Sequence, residues 1–317
     1  MKSLVQNFQF MNNTGKHITE KQNEDFHIDE LLAQQRIYSN AKNFQGLLIF
    51  ITVPLPVLIA IIIKISPELI DQTTWIFALY LIFASLGEKI LDSTIGRLKK
   101  IAASIQESFD LTILNIESNE TLNLAMIDKE TIRHYSKKPK QDIKKIEEVT
   151  NWYSINIIGL PTNIASMLCQ RTNIYYDFSV RKRYNFLMTI FATFTFITLL
   201  IISLINALDL KSFLVEVVLP SIPIFVFAYK EKNTNIESID NLKHLKKLIE
   251  SSLSNLNIND EIEDGILRKI QDRIYANRLL SPLIPDLIYK IVRPKLEDEM
   301  NYSVEERIKI LRSMQRN

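Results

Sequence analysis

The chain has 317 residues, of which 47% are hydrophobic and 23% charged, and a formal net charge of +2. So small a charge excludes electrostatic, sequence-independent binding of nucleic acid. Six glycines leave little for phosphate-cradling loops, and the single cysteine, Cys169, excludes an intrachain disulfide or a cysteine zinc cluster.

The first 45 residues are polar, Asn-rich and charged, so a cleavable signal peptide is not expected before the first apolar block. A window of about 19 residues, matched to a hydrocarbon core about 30 Å thick, then selects residues 46–65 and 74–91 as membrane spans. The first contains one charge, Lys64, placed to snorkel to an interface. Pro54 and Pro56 permit a kink there, and the second span carries Glu88 near its end. Beyond it, Leu91, Ile95, Leu98, Ala102, Ile105 and Phe109 alternate in steps of four and three, which predicts that the helix runs on as a stalk. The run LTILNI, residues 111–116, is the best strand candidate in a chain otherwise read as all-α.

Residues 151–184 hold the densest mixture of aromatic and basic side chains. Arg171, Arg181 and Arg183 are candidates to grip phosphates, and Trp152, Tyr175 and Tyr176 offer faces on which bases stack. The same residues suit an interfacial belt and a topology determinant beside a span, so both readings stand at this point. The stretch 162–184 lacks Gly and Pro and leads into a third span, 186–206, which predicts one continuous helix. The fourth span, 213–229, contains Glu216, Pro220 and Pro223. An ionisable residue in hydrocarbon should face other helices or water. Glu216, Glu88 and the kink positions Pro54 and Pro220 are therefore the pore or gating candidates. The second and fourth spans are short, and a buried or re-entrant helix is the competing assignment for each.

After the fourth span, Ile236, Ile239, Leu242, Leu245, Ile249, Leu253 and Leu256 form a second apolar stripe. Pro282, Pro285 and Pro294 suggest short helices, ending in a terminal amphipathic helix over 304–314. The expected architecture is thus four transmembrane helices in two hairpins, 46–91 and 186–229. A cytoplasmic helical domain is built from the arm 1–45, the region 92–185 and the region 230–317. Of the 38 Lys and Arg, 35 lie in those three regions, whereas the linkers 66–73 and 207–212 are poor in positive charge. Both termini are therefore expected inside the cell. The chain lacks a Walker loop, Rossmann fingerprint, zinc-binding HExxH or nucleophile elbow, and its four histidines are scattered. Neither an enzyme nor a bound cofactor or metal is expected.

Several segments together resemble a known family: AQQRIYSNAKNFQ before the first span, IQESFDLTILNI after the second, NWYS, CQRTNIYYDFSVRKRY before the third, and IQDRIYANRLLSPLIPDLIYKIVRPKLEDEM. This order resembles the SMODS-associated four-transmembrane effector family of CBASS antiphage systems. Its markers fall here on Gln170, Arg171, Asn173, Asp177, Arg181, Arg183 and Tyr184. Tyr175 and Tyr176 stand where a Trp is expected, and Val180 and Lys182 where Leu and Arg are usual. The resemblance implies a bacterial inner-membrane effector, activated by a cyclic di- or trinucleotide from a partner nucleotidyltransferase and acting by permeabilising or depolarising the membrane. Sharing of ligand among subunits favours a homo-oligomer. A channel or transporter subunit unconnected with immunity, and a non-conducting scaffold, are the alternatives.

Overall fold

A computed structural model describes residues 14–55, 58–59, 70–122, 124–125, 127–205, 207–254, 262 and 264–314. Among these residues the chain is helical, with one isolated antiparallel bridge, Thr14 to Pro161, and no strand. In chain order the helices are α1 (Gly15–Lys21), α2 (Asp25–Thr52), α3 (Ile70–Leu114), α4 (Lys129–Ser136), α5 (Ile143–Val149) and α6 (Thr162–Ile205). A helical turn, Leu210–Ser212, and a π-helical stretch, Phe213–Val218, lead into α7 (Leu219–Ser254). Then come α8 (Asp264–Leu280) and α9 (Asp286–Met314).

The predicted stalks are present. Leu98, Ala102, Ile105 and Phe109 on α3 are buried, as are Ile239, Leu242, Leu245, Ile249 and Leu253 on α7. Ile236 is exposed, and Leu256 lies outside the described residues. α6 begins at Thr162, as the absence of Gly and Pro there predicts, and runs 44 residues without interruption.

Two expectations are corrected. Residues 111–116 do not form a strand: α3 continues through Leu114 and ends on Asn115 in the left-handed region at φ 52°. The Ile116 N–H then donates back to the Leu111 carbonyl at 3.0 Å, the closing hydrogen bond of a Schellman motif. Residues 286–314 are likewise one 29-residue helix with Pro294 inside it, not a set of short ones. Pro294 removes a backbone donor, but Val292 and Leu296 are buried on either side of it and bind the helix to the core through the weak point.

Two antiparallel pairs organise the molecule. In the first, α2 lies along α3: Ala33, Ile37 and Ala41 pack with Leu98, Ala102 and Ile105, and the Tyr80 hydroxyl donates to the Ile51 carbonyl at 2.5 Å. In the second, α6 lies along α7, linked from one end to the other by Arg171 with Glu250, Arg181 with Asn235, Tyr184 with Glu231, and Phe196 edge-on to Phe225. One end of each pair is packed and polar; the other carries outward-facing apolar residues, including Phe83 and Ile90 on α3 and Phe186, Phe194 and Leu204 on α6. By length and composition α6 is the one described helix that clearly suits a membrane crossing, and only 6% of its most apolar stretch is buried. Residues 66–69 of the linker 66–73 and the end of the 46–65 segment, Lys64 included, fall outside the described residues.

Beside the large core in which Leu31, Leu32, Phe109 and Ile113 pack with Ile164, Leu168, Leu245 and Ile249, the two pairs are joined through residues 281–285, between α8 and α9. Ser281 and Ile284 each precede a proline, which disfavours helical backbone, and an extended segment sends successive side chains to opposite sides. Leu283 accordingly joins the core of the first pair, beside Ile37 and Leu98, while Ile284 joins that of the second, beside Val180 and Tyr184. Polar contacts repeat the pattern. Lys99 on α3 donates to the Ser281 carbonyl, Arg181 on α6 donates to Pro282 O at 3.1 Å, and Lys42 on α2 pairs with Asp286 at 2.5 Å.

Burial, with a smaller contribution from Arg181, lowers the Lys99 pKa from 10.5 to about 8. Between those values the unfolded chain holds a proton that the fold has released, so raising the pH across this window favours the folded state. Thermal unfolding in detergent should show the Tm of the wild type rising relative to Lys99→Met between pH 8 and 10. A difference that stays constant with pH would contradict the half-buried placement of Lys99 against the Ser281 carbonyl.

Candidate functional site

The N-terminal half of α6 carries most of the residues singled out above. At 100° per residue it sorts them onto three faces. Arg171, Tyr175, Phe178 and Lys182 share one; Tyr176, Val180 and Arg183 a second; Asp177, Arg181 and Tyr184 a third. The structure uses the three faces differently.

The first face looks onto α7 and α9. Arg171 is buried; its Nε donates to Glu250 Oε1 at 2.6 Å, and a terminal nitrogen donates to Ser303 Oγ at 2.9 Å. The Tyr175 hydroxyl donates to the same Glu250 oxygen at 2.7 Å. Its ring lies 4.1 Å from the Arg171 guanidinium and 3.9 Å from Lys246 Nζ, so two cations occupy the aromatic surface. Lys246 also lies 4.1 Å from the Phe178 ring, and Arg307 on α9 approaches the second Glu250 oxygen at 3.6 Å. Burial of Tyr175, and its hydrogen bond to Glu250, push the phenol up to about 12. Burial, Arg171 and Lys182 hold Lys246 below the usual lysine range.

On the third face Arg181 is a structural clamp. It is buried, bonds Asp177 Oδ2 at 3.0 Å and Asn235 Oδ1 at 3.3 Å, and holds the 281–285 segment through Pro282. Asn277 on α8 donates to the same Asp177 oxygen at 3.0 Å. On the second face Tyr176 packs against the cluster of Val180, Ile284, Val292 and Leu296, and Arg183 approaches Glu299 at 3.5 Å. Trp152 is half-buried against the largest hydrophobic core, in the segment after α5. The structure therefore brings Arg171 and Tyr175 together and distributes Trp152, Tyr176, Arg181 and Arg183 among other surroundings.

A second polar cluster escaped sequence reasoning. Glu107 and Asp110 on α3 are fully buried, and α8 delivers their partners. Arg268 donates to Glu107 at 2.9 Å and Arg278 to Asp110 at 2.7 Å; Gln271 donates to both carboxylates, at 2.8 and 3.2 Å. The Tyr153 hydroxyl donates to Asp110 at 2.6 Å and accepts from Asn173 at 2.9 Å, while Gln170 bonds Gln271 and the Leu267 carbonyl. Burial raises the Glu107 pKa, with Arg278 opposing, and burial also raises that of Tyr153. The segments IQESFD, NWYS, CQRTN and IQDRIYANR thus supply one network joining α3, α6 and α8. Its acids stand among Ile105, Phe109 and Ile113 of an apolar stripe, which was the available signal.

Removing one partner from a buried ion pair leaves an uncompensated charge, at a cost of about 3–5 kcal/mol. Arg278→Met should lose stability of that size in denaturant titrations, whereas an exposed control, Lys295→Met, should lose almost none. Equal stability of the two variants would contradict the burial of this network.

Toward the apolar ends, Pro54 lies in helical backbone and is half-buried, and Glu88 is exposed on α3. Glu216 falls within the π-helical stretch Phe213–Val218 and Pro220 in the first turn of α7; the side chains of both lie outside the described residues.

Residues 16–307 match the family described as the SMODS-associating 4TM effector domain. A probable CBASS effector molecule from Bacillus cereus (strain VD146) is 28% identical over 289 residues, which cover 89% of this chain and 95% of that protein. No solved structure matches. With nearly its whole length matched, the chain belongs to the SMODS-associating 4TM effector domain family, and so to the effectors of CBASS antiphage defence.

Proposed function

We propose that this protein is a cyclic-oligonucleotide-activated effector that resides in the bacterial inner membrane and permeabilises it. Its two helix pairs cross the bilayer as hairpins over 46–91 and 186–229, with both termini in the cytoplasm. The observation that carries this reading is the belt of outward-facing apolar side chains continuing the same helices whose other ends form a charged, packed bundle. Phe83, Ile90, Phe194 and Leu204 are all more than 65% exposed, a placement that water penalises and lipid favours. Helices are also the backbone form that satisfies its hydrogen bonds within a hydrocarbon core.

Two features of the second hairpin support a role in opening a path. The π-helical stretch Phe213–Val218 contains Glu216, and such stretches recur at functional sites. Beside it, an open apolar groove runs between Phe196, Leu199 and Leu200 of α6 and Val217, Val218, Ser221 and Phe225, so packing here is looser than in the cytoplasmic core. Looser packing costs less to rearrange. The ligand acts by preferring the permeable arrangement, and moving the balance from 1:99 to 99:1 takes about 5.5 kcal/mol of differential binding. Several subunits sharing that preference would supply it more readily than one, which is why a homo-oligomer is the active form we envisage.

Reconstitution in dye-loaded liposomes with a panel of cyclic di- and trinucleotides tests the reading. Leakage should begin with a particular cyclic nucleotide and be absent without it. Leakage indifferent to every nucleotide, or no leakage under any condition, would contradict it.

A further inference from the structure

The Arg171 cleft is electrostatically unbalanced. Arg171, Lys246 and Arg307 surround one acid, Glu250, and Lys182 adds a further positive charge near Lys246. Glu250 Oε1 is shared by Arg171 Nε and the Tyr175 hydroxyl, yet Oε2 remains 3.6 Å from Arg307, beyond hydrogen-bonding distance. Arg307 Nε and one terminal nitrogen are buried without a hydrogen-bond partner. Buried donors of a charged group call for an acceptor, and guanidinium forks match phosphate oxygens better than the single carboxylate now present. The cleft is reachable, since the Glu250 side chain is 34% exposed and Lys246 and Tyr175 are half-buried. Both cations already lie on the Tyr175 ring, so this place selects for charge rather than for a stacked base.

We propose that the cleft bounded by Arg171, Tyr175, Lys246 and Arg307 is an anion site for a phosphodiester of the activating nucleotide, kept closed in the resting protein by Glu250, which stands in for that phosphate. That the anion belongs to a nucleotide rests on the function proposed above; the anion site and its Glu250 latch do not. A phosphate entering the cleft displaces the Glu250 carboxylate, takes over the Arg171 and Tyr175 donors and supplies acceptors to Arg307. Because these groups come from α6, α7 and α9, the exchange replaces an intramolecular α6–α7 tie with one through the ligand that also includes α9. The latch sets the concentration at which the exchange occurs: a resident carboxylate competes with every incoming anion.

Inorganic tripolyphosphate is a suitable probe, read by thermal unfolding of the full-length protein in detergent at constant ionic strength. Glu250→Gln should reach half-maximal stabilisation at a concentration at least 10-fold below the wild type, following mass action. Arg307→Gln added to Glu250→Gln should abolish that gain. Lys246→Gln, which removes a cation of the site and leaves the latch in place, should raise the half-maximal concentration above that of the wild type and serves if Glu250→Gln folds poorly. Identical anion dependence in wild type, Glu250→Gln and Lys246→Gln, or a gain that survives Arg307→Gln, would overturn the proposal. In the liposome assay Glu250→Gln should lower the activating nucleotide concentration by a similar factor. Nucleotide-triggered leakage unchanged by Glu250→Gln and Arg307→Gln would discard this site and leave the signalling function standing. A tripolyphosphate gain without nucleotide response would do the reverse.

Discussion

The structure depends on the continuity of three long helices through two kinds of surroundings. α3, α6 and α7 are 45, 44 and 36 residues long, each with a packed polar end and an outward-facing apolar end. An interrupted backbone in hydrocarbon would leave donors and acceptors unpaired, at several kcal/mol each. Once α6 is a single rod, about 66 Å at 1.5 Å per residue, the rotation of Arg171 is fixed relative to that of Phe194. A change in how the polar end of α6 packs cannot be confined to that end.

What holds the rods together at the polar end differs between the two junctions. Glu107 and Asp110 with Arg268, Gln271 and Arg278 tie α3 to α8 through buried charge. Such a network adds little stability over an apolar core, but it tolerates few alternative arrangements. The 281–285 segment is the other junction, with Leu283 in one core and Ile284 in the next. Beyond the core that the two helix pairs share, this small wedge joins them, and any motion of one pair against the other must repack both. Arg181 belongs to this wedge, which explains in structural terms why a basic residue is buried there.

Much of this was legible in the sequence because helical period and charge asymmetry are strong local signals. The α3 and α7 stripes follow from spacing alone, and α6 starts at the residue where Gly and Pro cease. The end of α3 was missed because LTILNI is rich in β-formers, although Asn115, a residue that tolerates the left-handed region, marked the helix stop. Pro294 was read as a boundary because propensity is local, whereas the burial of Val292 and Leu296 that overrides it is not. The binding candidates on α6 were grouped by proximity along the chain. The helix sets Arg181 about 80° and Arg183 about 120° around from Arg171, a separation that period could have shown. Their true neighbours, Lys246, Glu250, Ser303 and Arg307, come from other helices, and no spacing rule reaches them.

The central claim is that the apolar ends lie in lipid with the charged bundle on the cytoplasmic side. Cys169, the single cysteine, is buried, so introduced cysteines can be read against a quiet background. Labelling of intact spheroplasts with a membrane-impermeant maleimide compares Lys211→Cys, in the linker between the hairpin arms, with Tyr302→Cys on α9; both positions are exposed. The account predicts that Lys211→Cys is labelled at once and Tyr302→Cys only after the membrane is permeabilised. Labelling of Tyr302→Cys in intact cells, or equal labelling of both in a fraction free of membrane, would contradict it.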